Sequence, residues 1–195
     1  MAHRRFSDAI SEGDGISVIV PVRDAAAARE AERQRAEALV VDHAGADLRD
    51  ATGLPILWRG PVPQDASQAG ADAVVIVFEA LEDEEGRLEE THAHLRDLGL
   101  DCVVDVRNDE ELQGALERID PDIFLLSPRD SEDDESPLET VLALLADVPA
   151  GKLAVADLPG TTSQDAVELE RAGVDAVIVT AADLAGLGGV HVPHV

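Results

Sequence analysis

One unit of the sequence decides the fold, because it contains a tight turn, a buried strand and a capped helix in direct succession. Residues 98–112 read LGLDCVVDVRNDEEL. Gly99 is suited to end a preceding helix in the left-handed conformation, and the apolar residues after it are continuous, as in strands of parallel sheets. Asn108 is suited to cap the next helix, in which Leu112 and Leu116 fall at helical spacing. The unit predicts a strand followed by a helix.

The same alternation extends along the chain. Short, β-branched apolar runs occur eight times, at residues 17–22, 38–41, 55–58, 73–78, 102–106, 123–126, 153–156 and 176–179. Helical patterns lie between them at residues 25–35, 84–98, 109–119, 138–145 and 163–171, the last with Ser163 as its expected cap. The segments after the second, third and eighth runs hold at most a turn or two of helix. Strict alternation leaves an open doubly wound sheet or a closed barrel.

Turn chemistry and repeat number favour the closed barrel. Gly70 and Gly173 repeat the junction at Gly99, and no Gly-x-Gly-x-x-Gly motif follows the first run. We therefore predict an α/β protein with a single (β/α)8 TIM barrel of eight parallel strands over residues 1–187. At 195 residues the chain is unusually short for this fold. Residues 188–195 are expected to form a C-terminal tail that could be flexible.

The charge of the chain limits its partners. Asp and Glu number 41 against 15 Lys and Arg, which gives a formal net charge of −26. Repulsion then disfavours nucleic acids and anionic membranes. Adaptation to high salt and drift in composition both explain such acidity. No apolar run approaches the length of a membrane span, and the N-terminus lacks the apolar stretch of a signal peptide, so we expect a cytoplasmic protein of undetermined oligomeric state.

Neither cysteine nor histidine indicates a metal or cofactor. Cys102 is the only cysteine, lies inside an apolar run and is expected to be a buried structural thiol. The histidines show no metal-ligand spacing, so no metal and no cofactor are predicted. The acidic residues 131–137 are typical of a solvated loop, with a cation site as the weaker alternative.

Arginines follow four of the predicted strands, although the chain as a whole is strongly acidic. They are Arg23, Arg59, Arg107 and Arg129. In a TIM barrel the C-terminal strand ends form the mouth, where active sites lie. Because guanidinium groups suit carboxylate and phosphate, the arginines predict a site for a small anion. Pairing with acids at the rim would instead make them structural; the acids concerned are Asp24, Asp105, Asp130 and Asp157.

The loop after the seventh strand allows two interpretations. Gly160 and three hydroxyl residues that begin with Thr161 lead into a helix. A helix N-terminus of this kind can hold an anion on its backbone amides, and it can equally be a plain helix cap. Thr180 stands at the exit of the eighth strand, where no glycine is present to receive a phosphate.

Five stretches, collinear over nearly the whole chain, resemble the indole-3-glycerol phosphate synthase family, the (β/α)8 lyases of tryptophan biosynthesis. They are residues 5–10, 54–59, 69–73, 103–112 and 173–179. The resemblance implies the barrel fold. It also implies a reaction that closes an indole ring on a carboxylated, phosphorylated anilino-sugar, with loss of carbon dioxide and water.

The positions that carry this chemistry in the family differ here. Where the family ends strand one in Glu-x-Lys and continues with a Ser-Pro-Ser loop, this chain has Pro21 and Arg23 and lacks the loop. Arg59 stands at the position of the general-acid lysine, and Asp105 at that of the strand-five glutamate.

Further departures follow at the last three strands. Ser127 stands at an asparagine of the family's Asn-Asn-Arg motif, of which Arg129 keeps the arginine. Asp157 begins the segment that matches Glu-Ser-Gly, and Thr180 stands at the glycine that ends strand eight.

Two functional hypotheses result. In the first, the chain is a diverged relative without the family's reaction, because arginine stays protonated and cannot donate a proton efficiently. Its mouth would bind a small anionic metabolite through Arg23, Arg59, Arg107, Ser127, Arg129, Asp157, Gly160, Thr161 and Thr180. In the second, the chain is an active phosphosugar lyase or isomerase, in which Asp105 is the base and Arg59 and Arg23 hold the substrate.

Overall fold

Eight parallel strands close into a barrel in the order β1 to β8, which confirms the predicted fold. The structure, a computed structural model, describes residues 6–11, 15–43, 47–60, 65–67, 69–81, 86–128, 136–158 and 160–180. The strands are β1 (Ser17–Pro21), β2 (Ala38–Val41), β3 (Ile56–Trp58), β4 (Ala73–Val77), β5 (Asp101–Val106), β6 (Ile123–Leu126), β7 (Leu153–Asp157) and β8 (Ala176–Ile178). Parallel pairing of Ser17 with Ala176 and of Ile19 with Ile178 joins β1 to β8 and closes the sheet.

All the described helices but the first lie where the sequence predicted them, with ends that differ by a few residues. They are α1 (Phe6–Ser11), α2 (Ala25–Arg33), α3 (Leu48–Ala51), α4 (Arg87–Asp97), α5 (Asp109–Arg118), α6 (Pro137–Asp147) and α7 (Ser163–Ala172). Helix α1 was not predicted, and α3 is the short helix expected after β2. None of the described helices has the length and apolar character that a membrane span requires. The predicted tail, residues 188–195, lies outside the described residues.

Local signals at the turns are confirmed except at Gly70, which does not end a helix, and at Ser163. Gly70, Gly99 and Gly173 have φ angles of +67°, +73° and +100°, although Gly70 follows a turn rather than a helix. The Asn108 side chain accepts a hydrogen bond from the backbone N–H of Glu111 at 2.9 Å, as a cap should.

The prediction that Ser163 caps α7 is wrong, because Thr162 is the cap. The Thr162 hydroxyl accepts from the Asp165 N–H at 3.2 Å, and the Asp165 carboxylate accepts from the Thr162 N–H at 2.8 Å. This reciprocal pair requires an acid three residues after the cap, and that spacing places the cap at Thr162.

Each strand contributes alternate residues to two separate apolar layers. One buried residue from every strand, in order from β1 to β8, fills the barrel interior: Ile19, Val40, Leu57, Val75, Val103, Leu125, Val155 and Ile178. Their neighbours along the strands point outward and pack with helix residues such as Leu88, Leu112 and Leu169. Cys102 belongs to this outer layer, and burial raises the pKa of its thiol to about 12, as expected for a structural cysteine.

Helix α1 closes the N-terminal end of the barrel. Phe6 and Ile10 are 0% and 2% exposed and belong to the inner layer. The helix is anchored on both sides: the Ser17 hydroxyl donates to the Ile10 carbonyl at 3.4 Å, and the Ser7 N–H donates to Asp101 at 2.8 Å. Helix α1 therefore covers the N-terminal end of the barrel interior, and the C-terminal end is the place where this fold carries its site.

Acidic residues connect neighbouring strands at this N-terminal end. In three places the residue just before a strand accepts a hydrogen bond from a backbone N–H at the start of the preceding strand. The pairs are Glu37 with Val18 (2.7 Å), Asp72 with Ile56 (2.9 Å) and Asp175 with Ala154 (2.8 Å). At two of the three glycine junctions the aspartate thus satisfies a backbone N–H at a strand start, whereas Asp101 at the third accepts from Ser7.

Removal of the Phe6 ring tests the role of α1. We expect Phe6→Ala to lower the free energy of unfolding by about 3–5 kcal/mol, because a fully buried aromatic side chain leaves a cavity. Urea denaturation measures this. Ser11→Ala, at an exposed position of the same helix, is the control and should cost less than about 0.5 kcal/mol. Equal losses in the two variants would show that α1 does not seal the barrel.

Asp175 predicts a pH dependence of stability. Burial raises the pKa of its carboxyl above the ordinary value, against the opposing effect of the hydrogen bond from Ala154. A carboxyl whose pKa is higher in the folded than in the unfolded state contributes stability when it is protonated. That contribution is fully present at pH values below the unfolded pKa, about 3.9, and is lost as the pH rises through the folded pKa. Between about pH 4 and neutrality, wild type should therefore lose stability relative to Asp175→Asn. Denaturation at several pH values measures it, with exposed Asp97→Asn as the matched control; parallel wild-type and Asp175→Asn profiles would contradict it.

Candidate functional site at the barrel mouth

The strand pleat determines which side chains reach the mouth. Because alternate residues face the same side of a strand, the residue two positions after each inner-layer residue belongs to the mouth. From β1 to β8 these residues are Pro21, Asp42, Arg59, Val77, Asp105, Ser127, Asp157 and Thr180. Five predicted site residues thus share one ring of positions, and the ring adds Asp42, which the sequence analysis missed.

Arg59 is held by two carboxylates. Its Nε donates to Oδ1 of Asp42 at 3.0 Å, and its Nη1 donates to Oδ2 of Asp157 at 2.7 Å. Strands β3 and β7 are four apart in a ring of eight, so the second contact connects opposite sides of the barrel. We call the contact between Arg59 and Asp157 the cross-mouth ion pair; its side chains are 26% and 25% exposed.

Asp105 and Ser127 form a buried polar pair at the same end of the barrel. They are 1% and 3% exposed, and the Ser127 hydroxyl donates to Oδ1 of Asp105. A buried carboxylate requires such donors, since desolvation without hydrogen bonds is costly. The pair gives the mouth one oriented carboxylate, which can accept a proton or a hydrogen bond from a ligand.

Arg107 belongs to a separate acidic cluster. Its Nη1 donates to Glu79, and its backbone N–H donates to Glu111 at 2.9 Å. Burial raises the pKa of the Glu111 carboxyl, against the effect of the Arg107 N–H. Arg107 Nε is buried and has no partner in the described part of the chain. Arg107 is thus bound to acids at the β4 exit and the start of α5, neither of which was predicted.

Arg23 does not join these clusters in the described part of the chain. Arg23 is exposed and has no ion pair among the described residues, because Asp24 caps α2 instead, accepting from the N–H groups of Ala26 and Ala27 at 2.9 and 2.8 Å. Arg129 lies outside the described residues, as does Asp130. The prediction that Arg23 and Arg129 join Arg59 in one site for a small anion therefore stays a prediction.

The loop before α7 has the geometry of a helix cap. Thr161 is buried and donates to the Leu158 carbonyl at 3.0 Å, whereas Gly160 is exposed with φ +70°. Asp165, in the first turn of α7, already places a negative charge at the N-terminus of the helix. The role of this loop as an anion cradle stays a prediction, and so does that of exposed Thr180.

Within the described ranges, no three side chains of metal-ligating type come together. The acidic residues 131–135 and the two histidines near the C-terminus lie outside those ranges. The described mouth instead holds guanidinium and carboxylate groups. It is suited to ionic and hydrogen-bond recognition and to proton acceptance by one carboxylate.

Comparison of the fold shows that the barrel is similar in shape to two solved structures. An N-acetylmannosamine-6-phosphate 2-epimerase from Clostridium perfringens superimposes with a TM-score of 0.74 at 13% identity, covering 94% of this chain and 92% of that one. A thiamine phosphate pyrophosphorylase from Pyrococcus furiosus gives a TM-score of 0.65 at 18% identity, over 89% and 90% of the two chains.

Comparison of the sequence is more specific. The sequence profile of indole-3-glycerol phosphate synthase matches residues 63–185, more than half of the chain. An indole-3-glycerol phosphate synthase from Geobacillus sp. (strain WCH70) is 31% identical over 138 residues, which are 68% of this chain and 53% of that protein. The chain spans about half the length of the curated relatives it matches. With its closed barrel and its matched profile, the chain belongs to the indole-3-glycerol phosphate synthase family.

Proposed function

We propose that this chain is a diverged family member whose mouth binds a small anionic metabolite, one bearing phosphate or carboxylate, and that it does not close the indole ring. The observation that carries the proposal is the presence of an ion-paired arginine, Arg59, at the mouth. This residue stands where the family resemblance places a general-acid lysine, and two carboxylates hold its guanidinium group.

The loss of the reaction follows from the chemistry of arginine. Ring closure requires a group that donates a proton near working pH, and the pKa of a lysine side chain can be lowered into that range. A guanidinium group stays protonated throughout this range, so replacement of lysine by arginine keeps the charge and gives up the proton transfer. The same exchange at Arg23 strengthens the argument.

Asp105 supports the alternative, an active lyase or isomerase. Its carboxylate is buried and oriented by Ser127, as a general base would be. One oriented carboxylate supplies only half of an acid–base pair, however, and the described mouth holds no lysine that could be its partner. Binding without ring closure therefore fits the site better.

Anion binding is supported by the guanidinium groups that remain accessible. Arg23 is exposed, and Nη2 of Arg59 makes no hydrogen bond in the described part of the chain. The surrounding acids oppose an anion at long range, so we expect weak, salt-dependent binding through direct hydrogen bonds.

An enzyme assay tests the loss of activity. With carboxyphenylamino-deoxyribulose phosphate as substrate, we expect no indole-3-glycerol phosphate above the level of the Asp105→Asn variant. The Geobacillus relative serves as the positive control. Turnover by wild type that Asp105→Asn abolishes would contradict the proposal and favour the active-lyase alternative.

Phosphate titration tests the anion site. Trp58 precedes Arg59, and the Trp58 ring packs so closely against Gly60 that a Cβ atom at Gly60 would overlap the ring. Because Arg59 lies between these two residues, movement of Arg59 should change the fluorescence of Trp58. We expect saturable phosphate binding with a Kd on the order of 1 mM, weaker at higher salt. Arg59→Gln should abolish the response, whereas Arg171→Gln, which removes an exposed charge outside the mouth, should not. A wild-type response no larger than that to chloride at matched ionic strength would refute the site.

A further inference from the structure

We infer that Asp157 is an internal competitor for the ligand at Arg59, so that the mouth selects anions able to displace a tethered carboxylate. The inference rests on the proposed anion site and names what determines its selectivity. The preferred ligand class is a phosphate dianion, as in a phosphate monoester, over a simple monocarboxylate.

The position of the cross-mouth ion pair is the first argument. Arg59, directly after β3, and Asp157, at the end of β7, stand on opposite sides of the ring of strands, and their side chains meet at 2.7 Å. A ligand in the mouth would enter the space that this contact spans. The ligand therefore meets an Arg59 side chain that already binds an anionic group, the Asp157 carboxylate.

The geometry of the guanidinium group shows how the competitor can be displaced. Asp157 contacts only Nη1 and Asp42 contacts only Nε, while Nη2 makes no hydrogen bond among the described residues. A phosphate group can engage Nη1 and Nη2 together, and such bidentate, charge-assisted contacts are stronger than single ones. A monocarboxylate of the same charge as Asp157 gains less, because the tethered group has the advantage of a high effective concentration.

Asp42 provides the comparison within the same site. It carries the same charge and touches the same guanidinium, but its side chain is 53% exposed against 25% for Asp157. It also follows β2, the direct neighbour of β3, so its contact does not span the mouth. A more exposed ion pair is screened by water and salt and contributes less.

The experiment measures the binding of inorganic phosphate and of acetate at constant ionic strength, by Trp58 fluorescence and calorimetry. Wild type, Asp157→Asn and Asp42→Asn are compared, the last two being matched in charge. We expect Asp157→Asn to bind phosphate about tenfold more tightly, which corresponds to a free-energy difference of about 1.4 kcal/mol. The same variant should lose most of the preference for phosphate over acetate. Asp42→Asn should change the Kd by less than about twofold.

A second arm, independent of ligand, measures the ion pair itself. In a double-mutant cycle with Arg59→Gln and Asp157→Asn, the coupling between the two residues should change the unfolding equilibrium constant by about fivefold. Absence of coupling overturns the inference whatever the titrations show.

The remaining outcomes separate the inference from the proposed function. If wild type binds phosphate and Asp157→Asn binds it no more tightly, the anion site stands and the competitor is refuted. If Asp42→Asn increases the affinity for phosphate as much as Asp157→Asn does, the effect comes from net charge alone, and the role of Asp157 as competitor is also refuted. If wild type does not bind phosphate, the anion site itself fails, and the inference, which rests on it, fails with it.

Discussion

The parallel pairing of β1 with β8 is the constraint on which the rest of the structure depends. A closed sheet has no free edge, and its pleat sorts side chains into an interior layer and a layer beneath the helices. Closure also turns distant parts of the chain toward one another. Arg59 and Asp157, separated by 98 residues, meet only because β3 and β7 face each other across a complete ring.

The two ends of the barrel use acidic residues in different ways. At the closed end, carboxylates such as that of Asp175 accept backbone N–H groups and connect neighbouring strands. At the mouth, carboxylates such as those of Asp42 and Asp157 bind arginine. Some of the acidic residues behind the net charge of −26 thus stabilise the structure through specific contacts. The carboxylates at the mouth also offset the positive charge of the arginines there. Recognition at such a mouth depends on direct contacts rather than on long-range attraction.

The chain keeps the family's fold, and we propose that it has lost the family's chemistry. It covers only about half the length of its curated relatives, yet it covers about nine-tenths of two solved barrels of other function. The strand ends keep positive charge at Arg59 and negative charge at Asp105, while the residue types change. Conservation of charge preserves ion pairs in the mouth, whereas proton transfer requires a particular side chain, so a barrel of this kind can persist without its reaction.

The sequence by itself determined the eight strands, most of the helices, the left-handed glycines and the cap at Asn108. Such features depend on residues only a few positions apart, so hydrophobic period and turn chemistry reveal them. It also indicated which residues stand at strand ends. Only the tertiary structure decided their partners: Asp157 and Asp42 for Arg59, Ser127 for Asp105, and the use of α1 as the seal of the barrel. Those contacts depend on which strands closure brings together, and no local pattern records that.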